Sequence, residues 1–408
     1  VTEMLPSIYG LSRVQLASQL RSSLGPKESA ATADRRAEAL FKSFYGKGLV
    51  APDAAVRRSS YEALAAAFSL EIPVRLRDFQ RSDSDGSVKF AVELRDGLLV
   101  ETVLIPERGR LTQCLSTQVG CAQACRFCQT GRMGLSRSLT AEEIVGQVLA
   151  VQKWVVENPE LAPKVLLQGP SKGAVHATSG QGSEERSGSG SGRSAVSNVV
   201  FMGMGEPLDT LEPLLAALDI LLDPKGLGLS PNKVTVSTVG LLPQLETFLS
   251  SSRASLALSL HSPFEDERSR VMPVNQRHPI TDVLAVLRRH SLSSGRRFLI
   301  QYTLIRNVND SPAHAEAIAN LLEGIDSKVN LIPLNEHEGT AYRRPGVGSV
   351  YDFQGLLKAR GLVATVRLSK GRDIQAACGQ LIEEKNRRVR KAPMPHLTSA
   401  AETESPTR

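Results

Sequence analysis

Residues 120–131 read "GCAQACRFCQTG" and hold Cys121, Cys125 and Cys128, three of the five cysteines in a chain of 408 residues. The other two, Cys114 and Cys378, stand apart. An odd count with three thiols this close does not suit a disulfide framework. The spacing C-x3-C-x2-C lets one short loop turn three thiolates toward one corner of a metal centre. A structural zinc site usually draws ligands from two separated places, so that two parts of the chain are stapled together. A 4Fe-4S cluster is usually ligated by four thiolates, so three from this loop leave one iron for a non-protein ligand. That arrangement suits a cluster that binds and reduces a substrate. Two alternatives remain at this point: a zinc site completed by Cys114 or Cys378, and buried thiols that hold nothing.

Outward from the loop, strand and helix signals alternate. "NVVFMGMG", "KVTVSTVG", "SLALSLH", "RRFLIQYTLI", "KVNLIPL" and "LVATVRL" read as strands. Between them, "TAEEIVGQVLAVQKWV", "TLEPLLAALDILL", "TDVLAVLRRH" and "SPAHAEAIANLLEGI" carry helical spacing, with Thr140 and Glu143 placed as a capping box. Such repetition implies a parallel sheet, open or curled into a barrel, with ligands at the carboxyl ends of the strands. Ahead of it, "VKFAVELRDGLLVETVLIP" reads as two strands joined at Asp96-Gly97, and "RVQLASQLRSSLG" and "ADRRAEALFKSFYGKG" as amphipathic helices. The division expected is a helical domain over 1–75, a β extension over 76–110, an α/β domain over 111–385 and a basic tail over 386–408.

Residues 169–194, "GPSKGAVHATSGQGSEERSGSGSGRS", are rich in Gly and Ser and poor in bulky apolar residues, the composition of a disordered surface insertion. Deleting 171–192 and closing the gap with a short flexible turn is therefore expected to leave soluble yield and turnover nearly unchanged, because loop length costs little closure entropy. A large loss of either would assign the segment a structural or substrate-binding role.

Hydrophobic residues make up 41% and charged residues 22% of the chain, the balance of a globular protein, and no apolar run is long enough to span a bilayer. The formal charge of +7 tilts the expected partner toward nucleic acid.

The cysteine spacing, with Phe127 just before the last thiol, resembles the radical S-adenosylmethionine (SAM) superfamily. "VETVLIP", "CLSTQVGCAQACRFCQTG", "GMGEPL", "VTVSTVG", "SLHSP", "VNLIPLNEHEGTAY" and "DIQAACGQL" follow one another in order, and together resemble the RlmN/Cfr family of RNA adenosine methyltransferases. The resemblance covers roughly residues 90–383. It implies a partial (β/α)6 barrel with a small N-terminal helical RNA-binding domain and a β-hairpin extension. It implies a 4Fe-4S cluster on Cys121, Cys125 and Cys128, whose unique iron takes the amino and carboxylate groups of SAM. Gly205 and Glu206 are expected at the SAM amino group, and Ser237, Ser259, Leu260, His261 and Asn335 around the rest of it. Cys378 is expected to carry the methyl group, Glu101 to act as general base, and Cys114 to resolve the RNA adduct by forming a disulfide with Cys378.

The activity implied is methylation of C2 of an adenosine in large-subunit ribosomal RNA, with tRNA as a further candidate substrate. Methylation at C8 is the nearest alternative, and a zinc-stapled RNA-binding protein the alternative from another class. An external electron donor and a disulfide reductant are implied partners. Arg35, Arg36, Lys42, Lys47, Arg343, Arg344, Arg387, Arg388, Arg390 and Lys391 are candidates for phosphate contacts. A monomer without membrane association is expected. The expected compartment is the cytoplasm. Because the chain starts with Val, a plastid or other organelle, with the presequence missing, is the alternative.

Overall fold

The structure, a computed structural model, describes residues 5–24, 29–46, 58–107, 109–162 and 196–381. Lys47, the Gly/Ser-rich stretch 169–194 and the tail 386–408 with Arg387, Arg388, Arg390 and Lys391 lie outside the described residues.

Three helices open the fold: α1 (Arg13–Leu24), α2 (Ala30–Phe41) and α3 (Arg58–Ala67). Ser29 caps α2 by accepting from the Thr32 N–H at 3.3 Å. Phe41 and Tyr45 pack with ring centroids 4.4 Å apart, and Tyr45 meets Tyr9 edge-on at 5.8 Å.

A four-strand meander follows: β1 (Arg75–Arg81), β2 (Val88–Glu93), β3 (Leu99–Glu107) and β4 (Arg110–Cys114), each antiparallel to the next. The expected hairpin at Asp96-Gly97 joins β2 to β3. Its Gly97 has φ +80°, a conformation that costs glycine nothing. Next come β5 (Gln118–Cys121), α4 (Gln129–Met133) and β6 (Gly134–Ser138), with β5 and β6 forming a separate two-stranded ribbon. Then α5 (Ala141–Glu157), opened by the expected Thr140/Glu143 capping box, leads into β7 (Asn198–Phe201), α6 (Leu211–Leu222), β8 (Val234–Thr238), α7 (Leu242–Ser251) and β9 (Ser255–Ser259). The series closes with α8 (Glu265–Val271), α9 (Ile280–Ser294), β10 (Phe298–Leu304), α10 (Pro312–Leu321), β11 (Ser327–Pro333), α11 (Val347–Ala359) and β12 (Val363–Val366).

Apart from the ribbon, these strands form one sheet in the order β1-β2-β3-β4-β7-β8-β9-β10-β11-β12, parallel from β4 onward. Each parallel strand from β4 to β11 is followed by helix before the next, which is the (β/α)6 pattern the family resemblance implies. The barrel is partial, with β1 and β12 as its edges. The sheet curls enough for Arg367, just past β12, to reach the Met202 sulfur, just past β7, at 3.9 Å. Outside the sheet, Arg13–Asp223 at 3.0 Å and Lys225–Glu38 at 2.8 Å tie the N-terminal helices to the turn after α6.

Strand register decides which meander residues face the barrel interior. Val103 pairs with Cys114, Glu101 with Ala91, and Lys89 with Val103. Side chains alternate across a strand, so Lys89, Glu101, Val103 and Cys114 share one face. The opposite face meets α5, where Phe90 packs on Trp154 at 4.9 Å and the Gln113 side-chain amide donates to the Gln147 carbonyl at 2.9 Å.

Candidate active site

Cys121 ends β5, Cys125 lies in the loop that follows, and Cys128 caps the start of α4. The ribbon that launches the loop needs Gly120: φ is +83°, and a Cβ would fall 1.9 Å from the Gly134 carbonyl oxygen on β6. The loop is fastened below by the Arg126 N–H to the Val271 carbonyl at 3.0 Å, at the end of α8. Its three thiols line one cavity of about 150 Å³. Burial pushes Cys121 up to about 12 and Cys125 and Cys128 upward as well, with Cys128 adding to the push on Cys121 and Cys125, and Cys378 to that on Cys128. Three thiols gathered on one cavity wall are a donor set suited to a metal centre. Among the described residues, no three His, Cys, Asp or Glu side chains converge as ligands of a single ion would. Each thiolate of a four-iron cluster serves a different iron, so three thiols lining one cavity match three corners of such a cluster.

The ends of β7 to β11 supply the rest of the cavity wall. Gly205 follows β7 with φ +106°, and a Cβ there would lie 2.6 Å from Gln118 Cβ. Glu206 is buried and held by three donors: the Thr238 hydroxyl at 2.7 Å, the Leu208 N–H at 3.1 Å and the Val239 N–H at 3.0 Å. Burial pushes its carboxyl up to about 7, against those donors, with Asp209 adding a smaller upward push. Ser237, Ser259, His261 and Asn335 also line the cavity. His261 has φ +56°, rare for a residue with a side chain, and is fixed by the Asn309 amide on its carbonyl at 2.6 Å. Its Nδ1 accepts from the Thr303 N–H at 2.9 Å, and its ring meets Phe127 edge-on at 4.9 Å. Burial and the nearby Arg268 cation hold the imidazole down to about 3, so it is neutral. Leu260 does not line the cavity: its side chain is fully buried, and its carbonyl accepts from Arg268 at 3.0 Å.

The C-terminal segment closes the site. The Asn335 amide donates to the Cys378 carbonyl at 3.1 Å and the Ser369 hydroxyl at 2.9 Å, while its buried Oδ1 has no hydrogen-bond partner. A buried acceptor left without a donor is costly, and on a residue that lines the cavity it fits a polar occupant such as SAM. The Gln129 N–H reaches the Gly379 carbonyl at 2.7 Å and the Thr130 hydroxyl reaches the Leu381 carbonyl at 2.6 Å, docking the segment on α4. Cys378 borders the large cavity and also a second one of about 20 Å³ that Cys114 borders. Burial, then the neighbouring Cys378, pushes the Cys114 thiol up to about 12. All five cysteines are free thiols. Glu101 lies on the same inner face as Cys114, buried, with Lys89 Nζ 2.9 Å from its Oε1.

The turn between β1 and β2 grips the segment that carries Cys378. Asp373 accepts from the Ser82 hydroxyl at 2.8 Å, the Ser84 hydroxyl at 3.2 Å and the Asp83 N–H at 3.2 Å, and the Gly371 N–H donates to Asp85 at 2.7 Å. Hydrogen bonds to charged groups contribute ~1.5–3 kcal/mol. Asp373→Ala is therefore expected to make the 370–381 segment more open to limited proteolysis and to slow turnover about tenfold, leaving iron and sulfide uptake unchanged. Wild-type proteolysis and turnover would remove the clamp from the account.

Of the expected phosphate contacts, Arg35 and Arg343 are exposed, and Lys42 is exposed but paired with Glu38 at 3.0 Å. Arg36 donates to Ser60 at 3.3 Å, and half-buried Arg344 donates to the Pro333 and Leu334 carbonyls at 3.3 and 3.2 Å. Sequence reading missed Gln123, Met202, Met272, Gln301 and Thr303, which all line the main cavity. Gln301 left a signal: a polar side chain within the apolar strand "RRFLIQYTLI", where it accepts from the Ser237 hydroxyl at 3.0 Å. No helix among the described residues is long and apolar enough to cross a membrane.

Comparison with known proteins adds an independent line. No protein-family model matches the chain. The dual-specificity RNA methyltransferase RlmN of Anaeromyxobacter dehalogenans is 41% identical over 329 residues, covering 81% of this chain and 80% of that protein. Its counterpart in Syntrophobacter fumaroxidans is 36% identical, covering 86% and 92%. Among solved structures, a radical SAM methyltransferase from Sphaerobacter thermophilus superposes with a TM-score of 0.76 at 35% identity, covering 92% of this chain and 99% of that one. With this identity spread over most of both chains, and with the cysteine loop and partial barrel in place, the chain belongs to the RlmN family of radical SAM RNA methyltransferases.

Proposed function

We propose that this enzyme methylates C2 of an adenosine in large-subunit ribosomal RNA, and a tRNA adenosine by the same route, through an S-methylated Cys378. The observation that carries this reading is the position of Cys378, which borders both the cavity lined by Cys121, Cys125 and Cys128 and the one bordered by Cys114. A methyl carrier must be reached from the SAM site when it is loaded and activated, and by a second thiol when the product is released. The dual specificity in the relatives' names supports more than one RNA substrate.

Cys121, Cys125 and Cys128 would hold the 4Fe-4S cluster, which when bound supplies one electron to SAM. C2 of adenine is an electron-poor carbon with neither a lone pair nor a leaving group, so direct displacement of the SAM methyl cannot reach it. The Cys378 thiolate instead accepts the methyl in an ordinary displacement. A hydrogen atom of the S-methyl group would pass to the 5′ carbon of a second, cleaved SAM, giving 5′-deoxyadenosine, and the carbon would add to the ring, tie RNA to Cys378 and give up one electron to the cluster. Glu101 takes the ring proton, acting as general base at hydrogen-bond range. Cys114 would then attack the Cys378 sulfur, forming the disulfide as the S–C bond breaks with its electron pair on the methylene carbon, which takes a proton and leaves as the methyl group of the RNA, and an external reductant would restore both thiols. The target base must be unstacked or unpaired to enter. Arg35, Arg36, Lys42 and Arg343 would contribute phosphate contacts from the surface.

Glu206 would accept a hydrogen bond from the SAM amino group. Its carboxyl, raised to about 7 by burial, is neutral at pH 6 and ionised at pH 8. An ionised acceptor makes the stronger bond. SAM binding should therefore tighten severalfold as pH rises across that window, by about 1 kcal/mol, and Glu206→Gln should flatten the dependence. An unchanged profile in the variant would reassign the residue. The activity itself is tested by mass spectrometry of nucleosides from RNA treated with reconstituted enzyme: 2-methyladenosine is expected, and 8-methyladenosine alone would overturn the choice of carbon.

A further inference from the structure

Arg268, on α8, is the bulkiest of the fully buried side chains, with 0% exposure. Buried guanidinium groups normally pair with carboxylates, because an uncompensated buried charge is costly. Here each hydrogen-bond acceptor on the described residues is neutral. Nε donates to the Leu260 carbonyl at 3.0 Å, Nη1 to Asn275 Oδ1 at 2.6 Å, and Nη2 to the Val239 and Ser259 carbonyls at 2.8 and 3.0 Å. No carboxylate among the described residues forms an ion pair with it. Burial draws the guanidinium down to about 10, which leaves it protonated at neutral pH, and the groups that act on it in the other direction are the Cys125 sulfur, once ionised, and the partly exposed Glu265. The cysteine loop rests on the end of the same helix, through the Arg126 N–H and the Val271 carbonyl.

We propose that Arg268 is the buried counter-charge of the iron–sulfur site, a positioning residue that raises the reduction potential of the cluster held by Cys121, Cys125 and Cys128. This rests on the cluster reading above. A cluster with three thiolates carries net negative charge and gains one more on reduction, and net charge is one of the quantities that sets such potentials. A fixed cation in a dry interior therefore favours the reduced state. It explains why the charge is buried where the chain offers only neutral acceptors. The same fork fastens the ends of β8 and β9, so a purely structural role is the competing explanation.

The test is a potentiometric titration, read by electron paramagnetic resonance, of the reconstituted full chain and its Arg268→Lys, Arg268→Gln and Glu265→Gln variants, with iron and sulfide assayed in each. At a fixed solution potential, Arg268→Gln should lower the reduced-to-oxidised ratio at least about tenfold, a midpoint shift of about 59 mV for a one-electron couple. Arg268→Lys, which keeps the charge, should stay within about twofold of wild type, and Glu265→Gln, which removes an opposing charge, should raise the ratio about twofold. Arg268→Gln with full iron and sulfide and an unshifted midpoint overturns the proposal. Should that variant not fold, Glu265→Gln decides, and an unchanged or lowered midpoint overturns it. Failure of the cluster reading looks different, because the wild-type chain would then take up no iron and sulfide.

Discussion

Replacing Cys121, Cys125 and Cys128 together by Ala is expected to give a colourless protein with no SAM cleavage and no methylated RNA. Each single replacement should do nearly the same, because in the proposed cluster each thiolate would serve a separate iron. The three side chains line the cavity with their thiols pushed up by burial, so in the cluster-free chain they are neutral and packed. Ala is only slightly smaller, so the triple variant should fold with a melting temperature close to that of the cluster-free wild type. The loss therefore reports on the cluster and not on the fold. RNA methylation by the triple variant would remove radical chemistry from the account.

Cys378→Ala and Cys114→Ala should both abolish product, yet fail at opposite ends of the reaction. Without Cys378 there is no acceptor for the methyl group, so no methyl is taken up and no RNA is attached. Without Cys114 the methyl is accepted, the carbon adds to adenine, and the reaction stops with RNA tethered to Cys378. A denaturing gel with labelled RNA should show a protein–RNA band for Cys114→Ala that vanishes on nuclease treatment, and none for Cys378→Ala. Both thiols border one small cavity, the placement that the proposed release by disulfide formation requires. Glu101→Gln, lacking the base, should also trap some adduct. An adduct with Cys378→Ala, or full turnover with Cys114→Ala, would exchange or dissolve the roles while leaving the cluster and the fold in place.

The cysteine loop was legible because its ligands are local: eight residues, Cys121 to Cys128, carry the whole pattern. The strands from "NVVFMGMG" onward were legible because buried parallel strands are near-continuous apolar runs punctuated by turn residues. The strand β1 was not, since "RLRDFQR" is an exposed edge strand with no apolar alternation, and the ribbon β5–β6 is too short and glycine-bearing to show a period. Cys378 and Glu101 carry no local mark of function. They were reached only through family resemblance, and what gathers them is long-range: strand register for Glu101, docking of residues 379–381 on α4 for Cys378. Arg268 was missed because nothing in the charged run "EDERSR" marks which charge is buried, and α8 buries this one completely.

The central claim is that the methyl group reaches adenine as a carbon first bound to Cys378 and stripped of one hydrogen. Reaction of the reconstituted enzyme with RNA and SAM bearing a fully deuterated methyl group tests it most directly. The account predicts 2-methyladenosine that retains two of the three deuterons, with the third recovered in 5′-deoxyadenosine. A product that keeps all three deuterons would mean direct methyl transfer and would contradict it.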